Sequence, residues 1–178
     1  LFVNSLRSTP RGASGGPGDT ANEHLKVCLD DEDTARLMHA VALRLARVEV
    51  PVEEAKALIL ARMTALVKPN GGVRGIATGI CFRRLVARCL AKIVGEGGEQ
   101  ECTPVQYALS KRAGTECVGH LCRGATDADA TATILSIDGV GAFDHISRAA
   151  VLRNLLTLPR ASAILPFVRL SYADTSTY

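Results

Sequence analysis

Asp138 closes a β-prone run, Thr133-Ile134-Leu135-Ser136-Ile137, and is followed by the glycine-broken turn Gly139-Val140-Gly141 and by Ala142-Phe143-Asp144. A carboxylate on a rigid strand end can hold a hard cation such as magnesium, and a glycine turn beside it lets a phosphate-bearing ligand approach. One Asp does not make a metal site, and the same residues also read as a strand–turn–helix whose acids cap and solvate the turn. A second equipped stretch is Lys68-Pro69-Asn70-Gly71-Gly72 with Arg74 just beyond it. Asn-Gly followed by Gly tolerates positive φ and favours a hairpin. Behind it, Arg83, Arg84, Arg88 and Lys92 fall on the polar side of a helix whose apolar side carries Phe82, Leu85, Val86, Cys89, Leu90 and Ile93. A basic hairpin beside a basic-faced helix suits a triphosphate or a template backbone. A helix with an ordinarily solvated face fits the same pattern.

The elements that must position these residues are read from periodicity. A helix is expected over 33–48, where Leu37, Val41 and Leu45 recur at i, i+4 and i+8 and the acids Asp30 to Asp33 lead into the N-terminus. Pro51 marks a break, and a second helix follows, with Glu53 and Glu54 in its first turn and Ala55, Leu58 or Ile59, Arg62 or Met63, and Leu66 at helical spacing. Val73 to Ala77 is a short strand, Thr78-Gly79 a turn, and residues 94–103 a polar glycine-rich loop. The strand ending at Asp138 leads into a helix from about His145, and Pro159 ends it. Gly, Pro, Ser and Thr dominate Ser8 to Thr20, so residues 1–24 are expected to form a flexible arm.

The 178 residues are long enough for one domain, or for part of a larger one, and their 47% hydrophobic content argues against wholesale disorder. The net charge is only +3, yet Arg outnumbers Lys among the 21 Lys and Arg residues, which is compatible with bidentate phosphate contacts. The six Cys read as reduced thiols of an intracellular protein. Cys117, His120 and Cys122 do not have the spacing of a zinc site. No run reaches the length of a membrane span.

The segment ALVKPNGGVRGIA followed by FRRLVAR resembles the fingers signature of reverse transcriptases of non-LTR retrotransposons, and the stretch around Asp138 resembles the first catalytic motif of their palm. Between the two, Pro104, Gln106, Gly114, Glu116 and His120 match a looser segment of that family, with Ala108 in place of its usual Gly. The hairpin also departs from many members, which have Pro where Gly75 follows Arg74.

The resemblance implies an α+β fold: a partial right-hand polymerase, mostly helical, with a short fingers hairpin and a palm strand. The domains would be a flexible arm over 1–24, a fingers-like helical region over 25–130 with its basic hairpin at 66–78, and the start of a truncated palm over 131–178. It implies template-directed nucleotidyl transfer with Mg2+, an RNA template, a DNA primer and deoxynucleoside triphosphates. Asp138 would bind the catalytic metal, and Lys68 and Arg74 would hold the triphosphate. Phe143 would lie beneath the incoming sugar, while Arg83, Arg84 and Gln106 would face the template or brace the fingers.

That family completes its metal site with a later Asp-Asp hairpin, and no Tyr/Phe-x-Asp-Asp sequence follows Asp138 here. The expectation is therefore a fragment without polymerase activity of its own, nuclear or nucleus-associated. The alternatives are a catalytically dead nucleic-acid-binding module using Arg83, Arg84, Arg88 and Lys92, an inert remnant, or a small helical domain without nucleic-acid contact.

Overall fold

A computed structural model describes residues 1–108, 111–139, 141–159 and 161–172, the side chains of Glu96, Phe143 and Asp144 excepted. The described residues form a mixed α+β structure of helices and an antiparallel hairpin. In order come α1 (Phe2–Arg7), α2 (Asn22–Val27), α3 (Glu32–Ala46), α4 (Val52–Ile59), β1 (Ala61–Val67), β2 (Val73–Gly79) and α5 (Cys81–Cys102). They are followed by α6 (Gly114–Ala128), α7 (Ala142–His145), α8 (Arg148–Thr157), a 3-10 turn at Ser162–Ile164 and α9 (Leu165–Tyr172).

The core forms where α1, α3, α5 and α9 meet. Phe2 and Leu6 of α1, Ala42 and Leu45 of α3, Leu85 and Val86 of α5, and Phe167 of α9 make one buried cluster. The i, i+4 spacing of Phe2 and Leu6 sets both on one side of a helical turn. The first 24 residues are therefore not a flexible arm: α1 contributes to the core, and α2 begins at Asn22, itself buried. Helix α3 starts where its acids predict, with Asp31 as N-cap accepting from the Thr34 amide at 2.7 Å and from the Thr34 hydroxyl at 2.6 Å.

Three further expectations are corrected. The helix after Pro51 stops at Ile59, and 61–67 is a strand, because Val73–Gly79 offers it a complete antiparallel partner from Ala61↔Gly79 to Val67↔Val73. Helix α5 runs through 94–102, expected as a loop; that stretch has no proline, and its glycines lower helix propensity without removing a backbone donor. The strand expected over 133–137 is not formed: residues 132–139 carry no regular structure, and Ile134, Leu135 and Ile137 are exposed. Among the described residues the only sheet is β1–β2, so this segment has no neighbour to pair its backbone, and a lone strand is not stable in water.

The total accessible surface is 12669 Å², against about 8300 Å² for a compact monomer of this mass. Helices α6 and α8 contain no buried residue, and both faces of the hairpin are open beyond its base.

Candidate functional site

The hairpin is built by its turn. Gly71 donates to the Lys68 carbonyl at 2.9 Å and Lys68 donates to the Gly72 carbonyl at 2.7 Å, closing a three-residue loop. Pro69 presets the first loop position and Gly71 adopts a left-handed φ of +80° that a side chain would resist. The Asn70 side chain accepts from the Gly72 amide at 3.2 Å. Arg74 pairs with Leu66 in the register, one step from the turn.

Lys68 and Arg74, 6 residues apart in sequence, are brought to the same end of the hairpin. Together with Leu66, Val67, Pro69 and Asn70 they line an open hollow of about 360 Å³. Both are exposed, and neither makes an ion pair or side-chain hydrogen bond among the described residues. The exposed apolar walls from Leu66 and Val67 and the two unpartnered cations leave a surface able to receive an anionic group.

Arg83 stands at the other end of the hairpin. Its Nη1 donates to the Ile59 carbonyl at 3.2 Å, where α4 gives way to β1. Its guanidinium lies against Gly79, the last residue of β2, in space that any Cβ at 79 would occupy. Burial depresses the Arg83 pKa, Tyr172 opposes that shift, and the neighbouring Arg84 adds to it. Arg83 thus ties the end of α4 to the last residue of β2.

Arg84, Arg88 and Lys92 do not form an open face. Arg84 Nη2 donates to the Ser14 carbonyl, Arg88 Nη2 to the Ser8 carbonyl and hydroxyl at 3.3 Å each, and Lys92 Nζ to the Ser5 hydroxyl at 3.1 Å. The N-terminal segment is laid over them. It continues to the hairpin base, where Gly16 packs so closely on the Gly79 carbonyl that a Cβ would stand 2.5 Å from it, and Asp19 pairs with Arg62 of β1 at 2.6 Å. That hydrogen bond and the Arg62 charge hold the Asp19 carboxyl below its ordinary pKa. Cys81, at the start of α5, donates its thiol to Asn22 Oδ1 at 2.8 Å, and burial pushes its pKa up.

Gln106 is half-buried and turned onto its own loop, its Oε1 accepting from the Ala108 amide at 2.7 Å. That loop approaches α6: a Cβ at Gly114 would collide with the Tyr107 carbonyl oxygen. His120 is exposed on α6.

Asp138 is exposed in the irregular stretch 132–139. The side chain of Phe143 lies outside the described residues, as do the residues from 173 onward. Among the described residues no group of three or more His, Cys, Asp or Glu side chains converges. Magnesium favours near-octahedral coordination by oxygen, and Asp138 by itself does not supply such a site.

The N-terminal serines that occupy the α5 cations were not legible from composition, which read residues 1–24 as a flexible arm. No protein-family model matches the chain, and neither a curated protein nor a solved structure does so. No helix among the described residues is long and apolar enough to cross a membrane.

Proposed function

We propose that this chain carries the triphosphate-gripping hairpin and the first palm aspartate of an RNA-directed DNA polymerase of the non-LTR retrotransposon type. The observation that carries the reading is the pair Lys68 and Arg74, two exposed cations without partners among the described residues, lining one hollow at the tip of a projecting hairpin. Arg supplies a planar fork matched to phosphate oxygens, and Lys a mobile point charge. The base of the same hairpin is fixed by Arg83, which sets the direction in which the tip can present those charges.

In this reading RNA template, DNA primer and deoxynucleoside triphosphate are the partners, Asp138 contributes one carboxylate toward magnesium, and Phe143 lies beneath the sugar. A single carboxylate cannot fix two ions about 3.5–4 Å apart. These 178 residues by themselves are therefore expected to bind triphosphate without extending a primer. The alternative, a nucleic-acid-binding module on the cations of α5, meets a face already covered by the N-terminal segment.

The test is a titration of the chain with a fluorescent deoxynucleoside triphosphate. Hydrogen bonds to charged groups contribute about 1.5–3 kcal/mol, so Arg74→Ala should weaken binding about ten- to hundredfold and Lys68→Ala by a comparable or smaller factor. Arg36→Ala, on α3, is the control. Binding by Arg74→Ala equal to the unmodified chain removes the proposal.

A further inference from the structure

Arg84, Arg88 and Lys92 occupy positions i, i+4 and i+8 of α5, which puts them along one line with about 6 Å of helix rise between successive members. Their partners run in the opposite order along the chain: Ser14, then Ser8, then Ser5. The Ser acceptors are neutral oxygens, carbonyl or hydroxyl, and Arg84 also neighbours the Cys81 thiol. None of the three cations makes an ion pair among the described residues, and the Nε of Arg84 is buried with no hydrogen-bond partner. Three like charges are thus lined up, the two arginines half-buried under the segment and Lys92 exposed at its edge, with no ion pair among the described residues.

The cover can come away in parts. Helix α1 is fixed by Phe2 and Leu6 in the core. From Ser8 to Thr20 the segment contains no buried apolar side chain and turns through left-handed glycines at 12, 16 and 18. Apart from Gly16, which packs on Gly79, its ties are polar. Lys26 donates to the Thr9 carbonyl and Asn22 to the Pro10 carbonyl at 2.8 Å each, the Gly12 amide donates to Glu23 at 2.6 Å, and the exposed ion pair Asp19–Arg62 holds its far end to the hairpin. Lys92 is itself exposed and needs only to swing off Ser5. The present bonds carry charge on the donor only, whereas a phosphate adds the opposite charge and can receive Arg in a bidentate fork, so phosphate oxygens outcompete carbonyls and hydroxyls for these donors. A row of cations along a line, rather than a cluster around a point, fits a linear polyanion.

We propose that the Arg84–Arg88–Lys92 row is a latent binding site for the phosphate backbone of a nucleic-acid strand, and that residues 8–20 are a built-in competitor which the strand displaces. The inference stands on the charge pairing alone and does not depend on the polymerase reading.

The experiment uses the whole chain and a fluorescein-labelled oligouridylate of 20 nucleotides. With three phosphates engaged, the log of the binding constant should fall against log salt with a slope of about −2, and Arg84→Ala/Arg88→Ala should bring it toward about −0.7. Asp19→Ala, which loosens the cover at an exposed position, should raise affinity severalfold. In the unmodified chain, saturating oligouridylate should speed trypsin cleavage after Arg11, because the covering segment is released. Circular dichroism checks that each variant is folded. Binding that leaves cleavage at Arg11 unchanged or slower overturns the proposal, as does binding indifferent to the loss of Arg84 and Arg88. So does absence of binding in both the unmodified chain and Asp19→Ala, or capture by anionic phospholipid vesicles without capture of the oligonucleotide. Because Lys68 and Arg74 are untouched in these variants, triphosphate binding should persist in all of them, so failure here and failure of the hairpin reading are separable.

Discussion

Leu6→Ala tests whether the N-terminal helix belongs to the core. Leu6 is 0% exposed and shares the central cluster with Phe2, Leu45, Leu85 and Phe167. Truncating a core leucine costs about 2–5 kcal/mol, the larger values where the surroundings cannot collapse into the space. Leu6 lies on a short helix that can shift inward, so a value near the middle, about 3 kcal/mol, is expected. With a urea dependence of about 2 kcal/mol per M, the denaturation midpoint should fall by about 1.5 M. The melting temperature should fall by about 6–12 °C for a chain of this length. The control is Leu1→Ala, five residues before it and 60% exposed, which should change stability by less than about 0.5 kcal/mol. Urea titrations followed by far-ultraviolet circular dichroism give both numbers. Equal midpoints for Leu6→Ala and Leu1→Ala would refute the packing of α1 and with it the anchored start of the covering segment.

Two further outcomes follow from close approaches and titration. Gly114→Ala places a methyl group on the Tyr107 carbonyl, so the 104–108 loop must move; hydrogen exchange should quicken at the Ala108 amide, now held by Gln106, and unchanged exchange there would contradict the contact. The Asp19 carboxyl is held below its ordinary value of 3.8 by Arg62, so its contribution is complete above that value and is lost as pH falls through the lowered one. The melting-temperature difference between the unmodified chain and Arg62→Ala should therefore be flat from neutral pH down to about pH 4 and close below it; a difference that widens in acid would be the wrong sign.

The parts of the fold that were legible are those whose cause is local. The Lys68-Pro69-Asn70-Gly71-Gly72 turn contains its own instructions, since proline, asparagine and glycine each meet a backbone requirement at a fixed place. The start of α3 was equally plain from its acids. Failures came where a distant partner decided. Ala61 to Val67 contains good helix formers at helical spacing, and only the pairing with Val73 to Gly79 makes it a strand. Thr133 to Ile137 has strand composition and found no partner among the described residues. The cations of α5 were legible as a row but not as an occupied one, because Ser5 and Ser14 lie 87 and 70 residues from the side chains that hold them. Of the candidate site, the placing of Lys68 and Arg74 at one end of the hairpin could be foreseen from the turn, whereas the contact of Arg83 with Gly79 required knowing that a glycine there leaves room for a guanidinium.

The hairpin joins the helices at Gly79, against which the Arg83 guanidinium lies. Six steps separate Ala61 from Val67, a reach of about 20 Å at the usual antiparallel rise. A swing of about 10° at Gly79 would carry the tip through about 3.5 Å over that reach, roughly the difference between touching a phosphate oxygen and missing it. In the proposed triphosphate reading, loosening the guanidinium at that end would blunt the tip without altering any residue there.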